Sequence, residues 1–503
     1  AEVAIGTGTL VSVGLGSCPH GQEPCPCGRG GRQFNGNRLS RTARRMPGMR
    51  SQAALPPPPP DALAASQVLA SRIAQRIRSR GGWIGLDEYM AMALYEPQLG
   101  YYAGGSRKFG GAGDFVTAPE LCALFGACLA RQCAQWFESC AHRVVEFGAG
   151  TGALAVQVLG ELDRLGFTDT EYLIVELSGE LAQRQRERIA RELPQALARV
   201  RWLAGWPDAI DGVVLANELL DAMPVRAFAR VPGASGQPER VMERGVALAG
   251  RGQGHGHEPG HEPGHEPGHE PGHEPGHGQG NEPFDGPAFE WALREASPEF
   301  AQRVTERLAQ GFADGGQAGG LYLGEVGEQA EHWVTQAAQR LVRGAMLLID
   351  YGFSRGEFYH PQRSMGTLMC HYRHHAHGDP FLWPGLQDIT THVDFSAVAR
   401  CALAQGLQPL GFVNQARLLT SLGLLERLVP PAPATGAMDG PVATPAEAAE
   451  RQLALARLAQ SVQVLLSEAE MGELFKAVAF GRGVGTEAMG FERGDRMATL
   501  VAA

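Results

Sequence analysis

Between Val144 and Leu154 the chain reads VVEFGAGTGAL, an apolar run that carries one acid, Glu146, and then glycines at 148, 150 and 152. Glycines at alternate positions let the backbone turn tightly and approach a ligand without Cβ clashes, and a helix starting there offers free N–H groups. A dinucleotide site uses the same physics with a Gly-x-Gly-x-x-Gly spacing. Here the spacing is Gly-x-Gly-x-Gly, and Glu146 stands inside the strand, where its carboxylate can grip an ammonium directly or through water. A second acid, Glu176, closes the apolar run YLIVE, 28 residues beyond Gly148. At the end of the next strand it is placed to accept hydrogen bonds from both hydroxyls of a ribose.

These habits are those of an S-adenosylmethionine (SAM) site. A nicotinamide dinucleotide, or a glycine turn with a coincidental acid, are the alternatives. Three further clusters bear on the choice. NELLDAMP (217–224) follows another buried run and sets Asn217, Glu218 and Asp221 at a strand's carboxyl end, where open α/β sheets bind ligands. Asn217 alone would read as a helix cap. Upstream, GGAGDFVTAPE (110–120) makes a polar, glycine-rich loop with Asp114, Thr117 and Glu120. Its ordinary reading is a capping box, Thr117 with Glu120 three residues on. Finally, His371, His374, His375 and His377 precede QDITTHVDF (387–395), but no carboxylate or cysteine completes a metal spacing. Cys25 and Cys27 resemble half of a zinc motif whose second half is missing. No metal is expected.

The elements that must position these residues follow from pattern. Strands are predicted at Arg143–Phe147, Glu171–Glu176, Val200–Leu203, Gly212–Ala216 and Ala345–Asp350, with helices at Gly152–Leu165, Gly179–Leu193 and Leu121–Phe137. Alternation of apolar strands with amphipathic helices signals a parallel α/β sheet. Helical patterns also cover Asp61–Arg80 and Trp83–Tyr102, the second ending at Pro97 and Gly100. A hairpin-like region, Phe228–Ala249, is interrupted by five tandem His-Glu-Pro-Gly units from His257 to Gly276, where proline and glycine every fourth residue forbid a helix or packed strand. The expected layout is a disordered extension (1–60), a helical region with the GDFVTAPE loop (61–140), a core with the repeat loop 251–282 inserted (141–430), a linker (431–447) and a C-terminal helical segment (448–503).

Composition bounds the function. The chain has 503 residues, 44% of them hydrophobic, enough for a sizeable core, and a net charge of −10, which disfavours a general nucleic-acid binder. Apolar runs fall short of the 18 residues of a membrane span. Nine cysteines, an odd number, suggest reduced thiols. Residues 1–50 carry seven arginines against Glu2 and Glu23. They make a poor amphipathic helix, so cytoplasm is expected, with the mitochondrial matrix as the alternative if they are a transit peptide.

The stretches LDEYMAMALYEPQLGYY (86–102), GDFVTAPEL (113–121), VVEFGAGTGALA (144–155), NELLDAMPV (217–225), LLIDYG (347–352), QDITTHVDF (387–395) and GELFKAVAFGRG (472–483), in this order, resemble the MidA family of SAM-dependent methyltransferases. That family includes a mitochondrial complex I assembly factor regarded as a protein arginine methyltransferase. The resemblance implies an α/β fold, a Rossmann-like class I SAM methyltransferase core with an additional, mostly helical substrate lobe. It implies SAM as cofactor, with Glu146, Gly148, Gly150 and Gly152 holding its methionine end, Glu176 its ribose, and Asn217, Asp114 and Thr117 bordering the same pocket. A protein substrate is implied, a subunit of respiratory complex I (NADH dehydrogenase), with arginine as acceptor. A guanidinium needs carboxylates to orient it, and Glu218 with Asp221 or Glu120 is the expected pair. A methyltransferase for another protein or a small molecule, and a SAM-binding assembly factor with little catalysis, are the rival readings.

Overall fold

In the strand Arg143–Phe147 (β1), Val144 packs on one face of a sheet while Val145 and Phe147 pack on the other. The same alternation runs through Glu171–Val175 (β2), Val200–Leu203 (β3), Ile210–Asn217 (β4), Leu341–Phe353 (β5), Gln408–Asn414 (β6) and Phe475–Arg482 (β7). Both faces are covered, which is why these strands read as near-continuous apolar runs. The computed structural model describes residues 55–104, 116–233, 239–250, 286–312, 320–428 and 444–501. The 1–60 extension, apart from its last residues, the His-Glu-Pro-Gly tract, Asp114 and most of the 431–447 linker lie outside them.

The sheet order is β3-β2-β1-β4-β5-β7-β6, with Val393–Asp394 added beside β5. β1 to β5 are parallel, and β7 alone runs against both its neighbours. The chain steps from β1 outward through β2 and β3, then returns to start β4 on the other side of β1. The crevice between β1 and β4, at the strands' carboxyl ends, is the topological switch point at which such sheets bind ligands. Helices Ala123–Phe137, Ala153–Arg164 and Gly179–Glu192 cover one face, and Glu328–Arg340 and Phe395–Ala404 the other. Cys122, Cys128, Cys133 and Cys140 are free thiols packed in the first of these cores as small apolar groups.

The second layer of the fold departs from expectation. It is not mostly helical. Trp83–Gly85, Arg226–Val231, Arg240–Leu248, Phe289–Glu295 and Tyr322–Val326 form a five-stranded antiparallel sheet. Helices Pro60–Ser79 and Leu86–Tyr95 share a core with this sheet, and Pro298–Gly311 packs in another. Trp83–Tyr102 is therefore a short strand followed by a helix, because Trp83, Ile84 and Gly85 pair with Ala247, Val246 and Gly245. The segment 448–503 is likewise not all helix. It supplies β7, whose run Ala477–Phe480 is buried on both faces between β5 and β6. The predicted helix Leu121–Phe137 is broken at Cys122, which takes an extended φ of −152°.

Candidate active site

The glycine turn after β1 folds as its spacing predicts. Gly148, Gly150 and Gly152 have φ of +71°, +51° and +82°, values that a side chain strains against. Space is short as well, since a Cβ on Gly148 would lie 3.0 Å from the Leu219 side chain, and one on Gly152 3.3 Å from the Gln185 backbone. Gly152 caps the helix Ala153–Arg164 with no side-chain hydrogen bond to its first N–H groups. Glu146 is buried beneath the turn, accepting a 2.8 Å bond from the Tyr172 hydroxyl of β2, and burial pushes its carboxyl up to about 8.

Glu176 follows β2. Its carboxylate accepts from the Ser178 N–H at 2.8 Å and from Gln185 Nε2 at 3.0 Å, and burial raises its pKa. Gln185 also donates to the Gly150 carbonyl at 3.0 Å and accepts from the Trp202 indole at 2.9 Å, so one side chain ties the acid of β2 to the glycine turn of β1. It is fully buried, one of two buried residues on a helix that is otherwise polar. That a glutamine takes an apolar-face position four residues before Ile189 is the signal that sequence reasoning missed.

The end of β4 is built around a carboxylate from β5. Asp350 Oδ2 accepts from the N–H groups of Leu219, Leu220 and Asp221 at 3.2, 2.8 and 3.3 Å. Three converging N–H groups make an anion nest, and they hold Glu218 in the left-handed region at φ +51°, a conformation that costs a non-glycine residue about 1 kcal/mol or more. Asn217 Nδ2 donates to the Glu218 carboxylate at 2.9 Å, and the Ala118 N–H donates to it as well, which brings the first residue of the helix Ala118–Leu121, next in sequence to Thr117, against it. Glu218 is pushed up to about 8, by burial first and then by Asp221. Asp221 and Asp350 are both raised, again chiefly by burial. Leu219, which packs against Gly148, makes this acidic turn continuous with the glycine turn.

Not every predicted residue joins the acidic turn. Glu120 is in an ion pair with Arg188 and accepts from the Thr151 hydroxyl, so its charge is balanced and it braces the glycine turn from outside. Thr117 sits at the N-cap of the one-turn helix Ala118–Leu121 but makes no side-chain cap bond, so the capping box is not formed. The histidines at 371–377 lie in and beside the small sheet of Met369–Tyr372, His375–His377 and Asp388–Thr390. Among the described residues no group of three or more His, Cys, Asp or Glu is arranged to hold a metal ion.

Residues 128–413, more than half of the chain, match the family model described as "Putative S-adenosyl-L-methionine-dependent methyltransferase". The chain belongs to this methyltransferase family. The methyltransferase is similar to a Burkholderia thailandensis protein whose crystal structure is bound to S-adenosyl-homocysteine, with 41% identity, a TM-score of 0.73, and coverage of 89% of this chain and 100% of the other. It is 32% identical to the zebrafish (Danio rerio) "Protein arginine methyltransferase NDUFAF7, mitochondrial" over 30% of this chain and 41% of the relative. With the human protein of that name the identity is 28%, over 31% and 41%. The methyltransferase thus spans about two fifths of the length of the curated relatives it matches.

SAM is the cofactor of the family, and the residues present fit it. The glycine cradle strains against side chains through its positive φ values and is crowded at Gly148 and Gly152, a buried acid lies under it, and Oδ1 of Asn217 and Oδ1 of Asp221 are buried without a hydrogen-bond partner. Buried carboxylates with raised pKa values are what a cationic ligand would relieve. SAM carries both an ammonium and a sulfonium.

Proposed function

We propose that this methyltransferase modifies an arginine side chain of a protein, with a subunit of respiratory complex I as the substrate to test first. The observation that carries the proposal is the pair of carboxylates Glu218, partly exposed, and Asp221, buried, held beside the cofactor turn with no cation of the protein's own between them and the glycine loop among the described contacts. A guanidinium is planar, always charged and suited to carboxylate pairs, so it fits such a site better than a neutral acceptor. The names of the curated relatives support arginine as the acceptor. Their mitochondrial names favour the matrix over the cytoplasm as the compartment. Among the described residues no helix is long and apolar enough to cross a membrane.

The proposed division of labour follows the geometry. Glu146 and the turn Gly148–Gly152 hold the amino-acid end of SAM, Glu176 accepts the ribose hydroxyls, and Asn217 offers its free Oδ1 to the same ligand. Thr117, beside Glu218, borders the pocket, as does Asp114, which lies outside the described residues. SAM supplies a methyl group already activated by its sulfonium, so orientation of the acceptor is most of the catalysis. Glu218 and Asp221 fix the guanidinium, and a Glu218 carboxyl poised near 8 suits taking the proton that the nitrogen sheds. Asp350 holds the N–H of Asp221 and the two before it, while the Glu218 N–H donates to the neighbouring Ile349 carbonyl, so β5 keeps both acids in place. Glu120, neutralised by Arg188, stabilises the glycine turn rather than completing the pair.

The test is transfer of an isotopically labelled methyl group from SAM to complex I subunits of the same organism, with the modified residue located by mass spectrometry. Glu218→Gln is expected to lower turnover about a hundredfold while leaving S-adenosyl-homocysteine affinity within about threefold. Full turnover in that variant would remove Glu218 from the mechanism. Label on a residue other than arginine would replace the acceptor.

A further inference from the structure

Two of the motif stretches, 86–102 and 387–395, contribute no residue to the site as described so far, yet both fasten onto its acidic turn. The Tyr95 hydroxyl donates to the Ala222 carbonyl at 2.9 Å, and the Thr391 N–H donates to the Asp221 carbonyl at 3.0 Å. The Tyr102 hydroxyl straddles both oxygens of Asp388 at 2.9 and 3.0 Å. Tyr102 is itself wedged in place, its ring edge-on to the buried Tyr101 at 5.1 Å and stacked on Tyr95 at 5.5 Å with 22° between the planes. Tyr95 ends the series with 42% of its surface exposed. The Tyr95 ring is thus held at its hydroxyl and along one face, with part of its surface still open, and its hydroxyl lies close enough to Asp388 and Asp221 to feel both charges.

We infer that the Tyr95–Tyr102 stack, together with Asp388, is one wall of the acceptor site and selects a planar guanidinium over an ammonium. The inference rests on the proposed arginine acceptor and adds the residues that would choose it. A guanidinium stacks flat on an aromatic face while its edges reach carboxylates, whereas an ammonium is a compact, strongly hydrated point charge that gains less from the face. Asp221 and Asp388 supply the edge partners, and Tyr95 supplies the face. Desolvation at the hydroxyl end of the ring, then the charges of Asp388 and Asp221, raise the Tyr95 hydroxyl above the usual phenol range, so its anchor to Ala222 keeps its proton. The second lobe thus delivers a recognition surface to a catalytic turn that belongs to the first.

Calorimetric titration of the full chain, saturated with S-adenosyl-homocysteine, with the pentapeptide acetyl-Gly-Gly-Arg-Gly-Gly-amide and its lysine twin tests this. Wild type is expected to prefer the arginine peptide by about tenfold, and Tyr95→Leu to lose that preference. Tyr95→Phe keeps the ring and loses the Ala222 anchor, and should bind the arginine peptide at least about fivefold more tightly than Tyr95→Leu. S-adenosyl-homocysteine affinity of each variant reports that the cofactor site still folds. If the preference survives in Tyr95→Leu, or if the phenylalanine variant is as weak as the leucine one, the wall is wrong and the arginine reading stands. If wild type shows no preference, the arginine reading fails and the wall with it.

Discussion

Glu146 and Glu218 carry the strongest consequence of burial at the level of single residues. Both are pushed up to about 8, whereas a glutamate in an unfolded chain titrates near ~4.3. Between those values the folded, ligand-free protein holds protons that the unfolded chain has released. Their contribution to stability is therefore full below about pH 4 and is lost as pH rises through about 8. Thermal melts of the ligand-free enzyme should show a falling midpoint from about pH 5 to 9, and Glu218→Gln should make that slope shallower. A slope unchanged by the substitution would mean that Glu218 is ionised in the free enzyme. These acids are legible in the sequence because a carboxylate within or just after an apolar run is out of place unless something binds it. Asp350 in LLIDYG carries the same mark, but that it serves the N–H groups of Leu219–Asp221 follows only from β4 and β5 lying side by side. The partner of Glu120 is Arg188, 68 residues away, and no local pattern joins them.

At the level of elements, the strands that the sequence marks best are those with both faces buried and a glycine or acid at the carboxyl end, β1 and β2 above all. β7 is the instructive failure. Its run Ala477–Phe480 mixes two alanines, strong helix formers, with Val478 and Phe480, which favour strands, and burial on both faces decides for strand. Because β7 is inserted between β5 and β6, the last strand in the chain completes a sheet that begins with β1 over three hundred residues earlier. Phe480 is fully buried against the helix-covered face that includes Val398 and Met346. Phe480→Ala is expected to cost about 3–5 kcal/mol, read as a lower urea midpoint with an unchanged slope. A loss below about 1 kcal/mol would mean that β7 is peripheral to the cooperative unit. The antiparallel lobe was half legible, as the hairpin from Phe228, because alternation shows a strand but not which distant strands it joins.

At the level of the whole molecule, the antiparallel lobe meets the core at the acidic turn, where the Tyr95 hydroxyl bonds the Ala222 carbonyl. Leu248 pairs with Phe289, and the Ala249 N–H donates to the Ala288 carbonyl at 3.0 Å, so two positions 39 residues apart lie side by side at one closed hairpin end. Closing a longer loop costs only about 0.6 kcal/mol for each doubling of its length. Deleting residues 251–282 should therefore leave the melting midpoint within about 2 °C and S-adenosyl-homocysteine affinity unchanged, while abolishing retention of the untagged protein on nickel resin, where the tract's histidines would otherwise act. A drop of more than about 5 °C would show that the tract packs against the lobe. The hairpin end is thus a port in the architecture. A fluorescent domain grafted there would ride on the antiparallel lobe with both of its own ends held together, turning the enzyme into its own optical tracer without touching either terminus.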